Sequence, residues 1–163
     1  MNESIVIHLH LGGIETSREH HASETQTFEE LITLLIKAGH FGDAKVEEIF
    51  VFEENSDIEV PHNHILRHEH HGKKYHLHRC KHIAVKFIAV DETKTESFRP
   101  SRTITHLLKW AKEHLANDPN KKYELRLTAD GEPLPAAAHL GSYAKPGECS
   151  VTLYYVPACK ILG

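Results

Sequence analysis

Histidine alternates with aliphatic residues in two short runs, IVIHLHL (Ile5–Leu11) and the KYHLH that closes HHGKKYHLH (His70–His78). Successive side chains of a strand point to opposite faces, so Ile5, Ile7, Leu9 and Leu11 fall on one face and His8 and His10 on the other. The same rule sets Tyr75 and Leu77 against His76 and His78. If the two strands are neighbours, His8, His10, His76 and His78 form one imidazole patch on the face turned away from the core, exposed to solvent. Three chemistries are open to such a patch. It can solvate the sheet and meet a partner. It can hold a transition metal, since imidazoles at i, i+2 on adjacent strands supply the right donors. Or it can change charge near pH 6. No carboxylate or cysteine stands at a fixed spacing from these positions, so the sequence assigns no metal set. His62, His64, His68, His70 and His71 fall in a turn segment that reads as surface.

The end of the chain, VPACKILG (Val156–Gly163), is a second place for chemistry. Pro157 has no N–H to give to a ladder and is expected to end the last strand. The seven residues from Pro157 to Gly163 then reach at most about 24 Å when extended. Gly163 lacks a β-carbon, so a carboxylate there is uncrowded, and Leu162 precedes it. Cys159 reads as a passive exposed thiol.

The totals bound the rest. The chain has 163 residues, 40% hydrophobic and 26% charged, which suits one domain or two small ones. No apolar run approaches the roughly 18 residues of a membrane span, and MNESIVIHLH lacks the basic start of a signal peptide. Cys80, Cys149 and Cys159 contain no CxxC and read as reduced thiols, so the cytoplasm is expected. Up to His82 there are 8 Lys+Arg against 14 Asp+Glu, and from Ile83 onward 11 against 9. Thirteen of the 16 histidines lie in the first half. Neither half carries the basic stripe that nucleic-acid binding needs. No Ser/His/Asp set, P-loop or GxGxxG is present, so neither an enzyme nor a cofactor is expected, and the acidic pair Glu53 and Glu54 reads as a solvated strand end.

The elements that must position these residues repeat. IVIHLHL has its counterpart in IAVKFIAV (Ile83–Val90), 78 positions later. TFEELITLLIKAG places Phe28, Leu31, Ile32 and Leu35 on one helical stripe, and TITHLLKWAKEHL does the same with Ile104, Leu107, Leu108 and Ala111. Thr27 with Glu30 makes a capping box, Gly39 is placed to stop that helix, and Thr103 caps the second. Trp110, in the second helix, is expected to be partly buried. The strands EIFVF (Glu48–Phe52) and YELRL (Tyr123–Leu127) follow the helices. Each half closes with a glycine turn and a final strand, HHGKKYHLH and KPGECSVTLYYV (Lys145–Val156). Second strands are placed at about 14–20 and 94–99. Each half thus reads as α+β: a hairpin, a helix crossing one face, and a last strand parallel to the first through a right-handed crossover. That is a β-grasp, twice, with divisions at 1–81, 82–157 and a flexible tail 158–163. The linker is minimal, which limits the domains' mutual orientations.

With the repeat in hand, the pattern resembles ubiquitin. The second half carries it best, through IAVKFIAV, the T-I-x-x-L-L helix opening, LRLTADGEPLP and LGSYAKPGECSVTLYY; the first half follows more loosely, its turn region being longer. Two fused ubiquitin-like domains ending in glycine are similar to the vertebrate interferon-induced two-domain modifier and, more closely, to the BilA-type modifiers of bacterial antiphage operons. The resemblance implies a protein modifier whose C-terminal glycine, here Gly163 after Leu162, is activated by an E1-like enzyme and passed by an E2-like enzyme to target proteins. It implies release by a JAB-type metalloprotease, and partner binding through the sheet face that bears His8, His10, His76 and His78. Ubiquitin-type tails usually end Gly-Gly after arginines; here Lys160 is the only tail charge. A non-covalent interaction scaffold and a sulfur carrier are the alternatives, the latter disfavoured by the tandem architecture.

Overall fold

The computed structural model describes residues 5–14, 16–54, 56, 58–145 and 148–158. Its strands are β1 (Ile5–Leu11), β2 (Arg18–Ala22), β3 (Phe50–Glu53), β4 (Lys74–His78), β5 (Ile83–Ile88), β6 (Thr93–Phe98), β7 (Tyr123–Arg126) and β8 (Ser150–Pro157). The helices α1 (Phe28–Lys37) and α2 (Ile104–His114) cross one face of each sheet. The strand orders are β2-β1-β4-β3 and β6-β5-β8-β7, and in each sheet the first and last strands of the unit, β1 with β4 and β5 with β8, are parallel. These are two tandem β-grasp domains of the ubiquitin-like kind.

Local chemistry explains the elements. Thr27 Oγ1 accepts the Glu30 N–H at 3.2 Å and donates to the Glu30 carboxylate, satisfying an orphan donor of the first turn of α1. Thr103 caps α2 through the His106 N–H at 3.3 Å. Gly39, at φ +94°, supplies the left-handed residue just after α1. The first hairpin starts later than expected. Ile14 donates its N–H back to the Leu11 carbonyl at 3.1 Å, so residues 12–14 form the turn and β2 begins at Arg18.

Two cores result. Ile5, Ile7, Leu9, Phe28, Leu31, Ile32, Tyr75 and Leu77 are buried in the first. Ile83, Val85, Phe87, Leu107, Ala111, Leu125, Leu153 and Tyr155 are buried in the second. Each large side chain so buried contributes about 1.5–3 kcal/mol relative to exposure. Trp110 is partly buried and stacks on Phe87 with ring centroids 5.0 Å apart. No helix among the described residues is long and apolar enough to cross a membrane.

The reduced-thiol reading of the cysteines is corrected for two of the three. Cys80 and Cys149 form a disulfide with Cα atoms 5.5 Å apart, and Cys159 lies outside the described residues. The parallel ladder brings the pair together: Ala84 lies opposite Ser150, and the Ala84 N–H bonds the Cys149 carbonyl at 2.9 Å. Spacing alone did not reveal the bond, because the partners are 69 residues apart and meet only once β5 and β8 are side by side. The cross-link ties the interdomain segment, through Cys80, into the second core. Closing a loop of that length stabilises the fold by about 4 kcal/mol in the chain-entropy account. Reduction, or Cys149→Ser, is therefore expected to lower the unfolding free energy of the second domain by about 3–4 kcal/mol in denaturant titrations. An unchanged midpoint after verified reduction contradicts this.

Candidate functional site

Strand alternation places His8, His10, His76 and His78 on the sheet face opposite α1, as expected, and the parallel register sets His10 directly beside His76. What differs is exposure. His76 and His78 are 3% and 5% exposed, and His8 and His10 are half-buried. The face is not an open surface, because the second domain lies on it.

The covering segment is His139–Ser142. Thr103 pairs with His139, Leu140 N–H bonds the Arg102 carbonyl, and Gly141 N–H bonds the Pro100 carbonyl, both at 2.9 Å. Held that way, Gly141 accepts the Gly13 N–H at 2.9 Å, and the Ser142 hydroxyl donates to the Ile14 carbonyl at 3.2 Å. Farther along, the Ser101 hydroxyl donates to the Ser56 carbonyl at 3.1 Å, and the Arg99 guanidinium lies 5.2 Å from the Phe52 ring centre. Glycine is required at the closest approach: a β-carbon on Gly12 would come within 2.7 Å of the His78 ring, and one on Gly141 within 3.0 Å of both His78 and Pro100.

Two kinds of histidine occupy this interface. His78 is fully bonded: Nδ1 accepts the Cys80 N–H at 2.9 Å, and Nε2 donates to the Gly141 carbonyl at 3.2 Å. Burial pushes its pKa down to about 4, against the opposing pull of the Gly141 bond. Charging it would also set a second N–H against the amide of Cys80. The other kind is a cluster of His10, His76, His139 and Glu54, whose nearest donor atoms all lie within 4.8 Å of one another. The His10 and His76 rings stack at 4.6 Å, and the His139 ring lies 4.3 Å from that of His76. Glu54 Oε1 is 2.9 Å from His139 Nε2 and 4.0 Å from His76 Nε2. Glu54 Oε1 is thus the polar atom set against His139 Nε2, and His10 Nδ1, His76 Nε2 and His139 Nε2 are buried without a hydrogen bond of good geometry. Burial lowers all three pKa values. His76 is pushed to about 2, with His139 and His10 adding to the effect, whereas Glu54 partly offsets the fall at His139.

Sequence reading missed His139 and Glu54. His139 lies in a loop 63 residues from His76 and reaches it only when the domains pack, and no local spacing announces that. Glu54, read as a solvated strand end, is turned inward by the bond from its N–H to the Lys74 carbonyl at 3.0 Å. The turn-segment histidines are less superficial than expected: His70 is 6% exposed, its Nδ1 accepts the Arg67 N–H at 2.9 Å, and its Nε2 lies 3.1 Å from His64 Nε2. Leu162 and Gly163 lie outside the described residues. β8 does end at Pro157, after which the Ala158 N–H bonds the Lys122 carbonyl at 2.7 Å.

The depressed pKa values set the sign of the acid response. Unfolded histidine takes up its proton near pH 6.5, whereas folded His78 does so only near 4 and His76 near 2. Below 6.5 the unfolded chain therefore binds more protons, and stability present at neutral pH is lost as pH falls towards 4. Between pH 7 and 5 the two groups are expected to cost about 4 kcal/mol together. Denaturant unfolding at both pH values, with chelator present, checks this; equal stability at pH 7 and 5 contradicts it.

Comparison with known proteins bears on the fold and family. Residues 82–158 match the family described as BilA ubiquitin-like domain 2. Among solved structures, the crystal structure of the UBL domain of Plasmodium falciparum Dsk2 is similar, at 20% identity and a TM-score of 0.38, over 47% of this chain and 99% of that one. No curated protein matches the chain. The family match lies on the domain whose motifs carry the ubiquitin resemblance, so residues 82–158 are similar to a BilA ubiquitin-like domain.

Proposed function

We propose that the chain is a protein modifier in bacterial antiphage defence: the substrate of a conjugation cascade and not an enzyme. The observation that carries this reading is the match of residues 82–158 to the second ubiquitin-like domain of BilA, the domain that Gly163 follows. An E1-like enzyme joins the Gly163 carboxylate to the α-phosphate of ATP, with pyrophosphate leaving. A thiolate then displaces AMP to give a thioester. The E2-like enzyme takes the acyl group by thiol exchange, and a target amine displaces that thiol to form an amide, which a JAB-type protease can hydrolyse. The chain supplies the electrophile; the catalytic groups belong to its partners. The requirement for ATP places activation in the cytoplasm.

The repeat also points to where those partners dock. Register pairs His10 with His76 in the first sheet and Ile88 with Tyr154 at the corresponding place in the second. In the first sheet this face is covered by the second domain. In the second, Lys86 and Thr152 are exposed and Ile88 and Tyr154 half-buried, leaving a face with an aromatic near its centre. An interface aromatic of this kind commonly carries a large share of the binding energy.

Reconstitution with ATP and the E1-like and E2-like enzymes of a BilA-type system tests the reading. The whole chain is expected to form a reductant-labile E1 thioester and stable higher-mass adducts. Deleting Gly163 abolishes both, and Tyr154→Ala reduces adduct formation by about tenfold. Adducts that persist unchanged without Gly163 contradict the proposal.

A further inference from the structure

We propose that His10, His76, His139 and Glu54 form a structural site for a divalent transition-metal ion, Zn²⁺ being the best fit, that clamps the second domain onto the first. Nothing in this depends on conjugation of Gly163.

Three features carry it. First, three imidazole nitrogens, His10 Nδ1, His76 Nε2 and His139 Nε2, are buried without a hydrogen bond of good geometry. Buried polar atoms are almost always satisfied, so three orphans converging on one point call for a common partner. Second, a carboxylate joins them: Glu54 Oε1 lies 2.9 Å from His139 Nε2, and all four donor atoms lie within 4.8 Å. Four such ligands on Zn²⁺ sit about 3.3 Å apart in a tetrahedron with bonds of about 2.0–2.1 Å, so the ligands that stand farthest apart need to close by at most about 1.5 Å. Third, two of the imidazoles are enclosed: His76 and His139 are 3% and 7% exposed, so an ion between them is largely screened from water. Among the described residues this is the one such convergence of three or more ligand side chains.

The donor set selects the ion and its role. Imidazole nitrogen with carboxylate oxygen and no sulfur suits Zn²⁺ and its neighbours in the first transition row better than Mg²⁺ or Ca²⁺. Three histidines and one glutamate complete four-coordination, leaving no position for water to be activated; closed sites of this kind are structural. The ligands come from β1, β4, the residue after β3 and the loop before Leu140, so the ion joins two cores that also meet through hydrogen bonds at Gly13, Ile14, Ser56 and His78 and through the Arg99–Phe52 contact. A metal lies near the plane of each imidazole that holds it, and the His10 and His76 planes are now 8° from parallel. Loading must therefore rotate one ring. Half-buried His10 is the more exposed of the two, and the χ2 torsion is soft in histidine.

The test uses the full-length chain stripped with chelator. Titration with Co²⁺ is expected to saturate at one ion per chain, with the intense visible bands of a four-coordinate ion, and Zn²⁺ then displaces it. His139→Gln, in the second domain, and Glu54→Gln, in the first, should each weaken binding by about 100-fold. His21→Asn combined with His82→Asn, both exposed and outside the cluster, should leave it unchanged. Because a cluster variant can fail to fold, the unmutated chain supplies a second readout. On adding Zn²⁺, the imidazole ¹⁵N resonances of His10 Nδ1, His76 Nε2 and His139 Nε2 should shift together at one equivalent, while those of His78 stay bonded as they are. No stoichiometric binding, a six-coordinate Co²⁺ spectrum, binding unaffected by both cluster variants, or shifts confined to exposed histidines overturns the proposal.

Discussion

The architecture turns on one constraint: a sheet face studded with imidazoles has been taken out of water. Burying a polar group is costly unless it is paired. His78 meets that demand through the Cys80 amide and the Gly141 carbonyl. His10, His76 and His139 meet it only in part, with Glu54 beside them. The close approach depends on residues that lack a β-carbon at Gly12 and Gly141, and on a loop anchored to residues 100–103. Interface geometry, histidine protonation and domain orientation are therefore one problem and not three.

The two domains share a topology and use it oppositely. In both, the helix covers one side of the sheet and aliphatic residues fill the space between. The other side carries histidine in the first sheet and becomes an internal interface. In the second it carries Lys86, Ile88, Thr152 and Tyr154 and remains accessible. Covering one face and leaving its repeat-related counterpart open gives the pair a direction, with the accessible sheet adjoining the end of β8. The Cys80–Cys149 bond reinforces that direction by tying the short connection to the second core.

Much of the fold was legible because it is local. Period-two alternation located β1 and β5, the 3.6-residue stripe located both helices, and Thr27 and Thr103 marked their starts. Recurrence of those marks at a near-constant offset implied two copies, and the hairpin–helix–strand order implied parallel first and last strands. What stayed hidden is non-local. The spacing of Cys80 and Cys149 carries no signal until β5 and β8 pair. His139 is an unremarkable loop histidine until the domains close, and Glu54 faces inward only because its backbone bonds Lys74. The four histidines were placed on the correct face but expected to be solvated, because alternation reports which side a residue occupies and not what covers that side.

The central claim is that the histidine face of the first sheet is an interface with the second domain. Residual dipolar couplings measured separately for residues 5–78 and 83–158 of the whole chain test it most directly. Two domains docked through His78, Gly141 and the His10–His76–His139 cluster must share one alignment tensor, with an interdomain orientation that keeps Gly13 against Gly141. Two tensors of different magnitude, together with His76 titrating near pH 6.5 as a solvated imidazole does, would contradict the account.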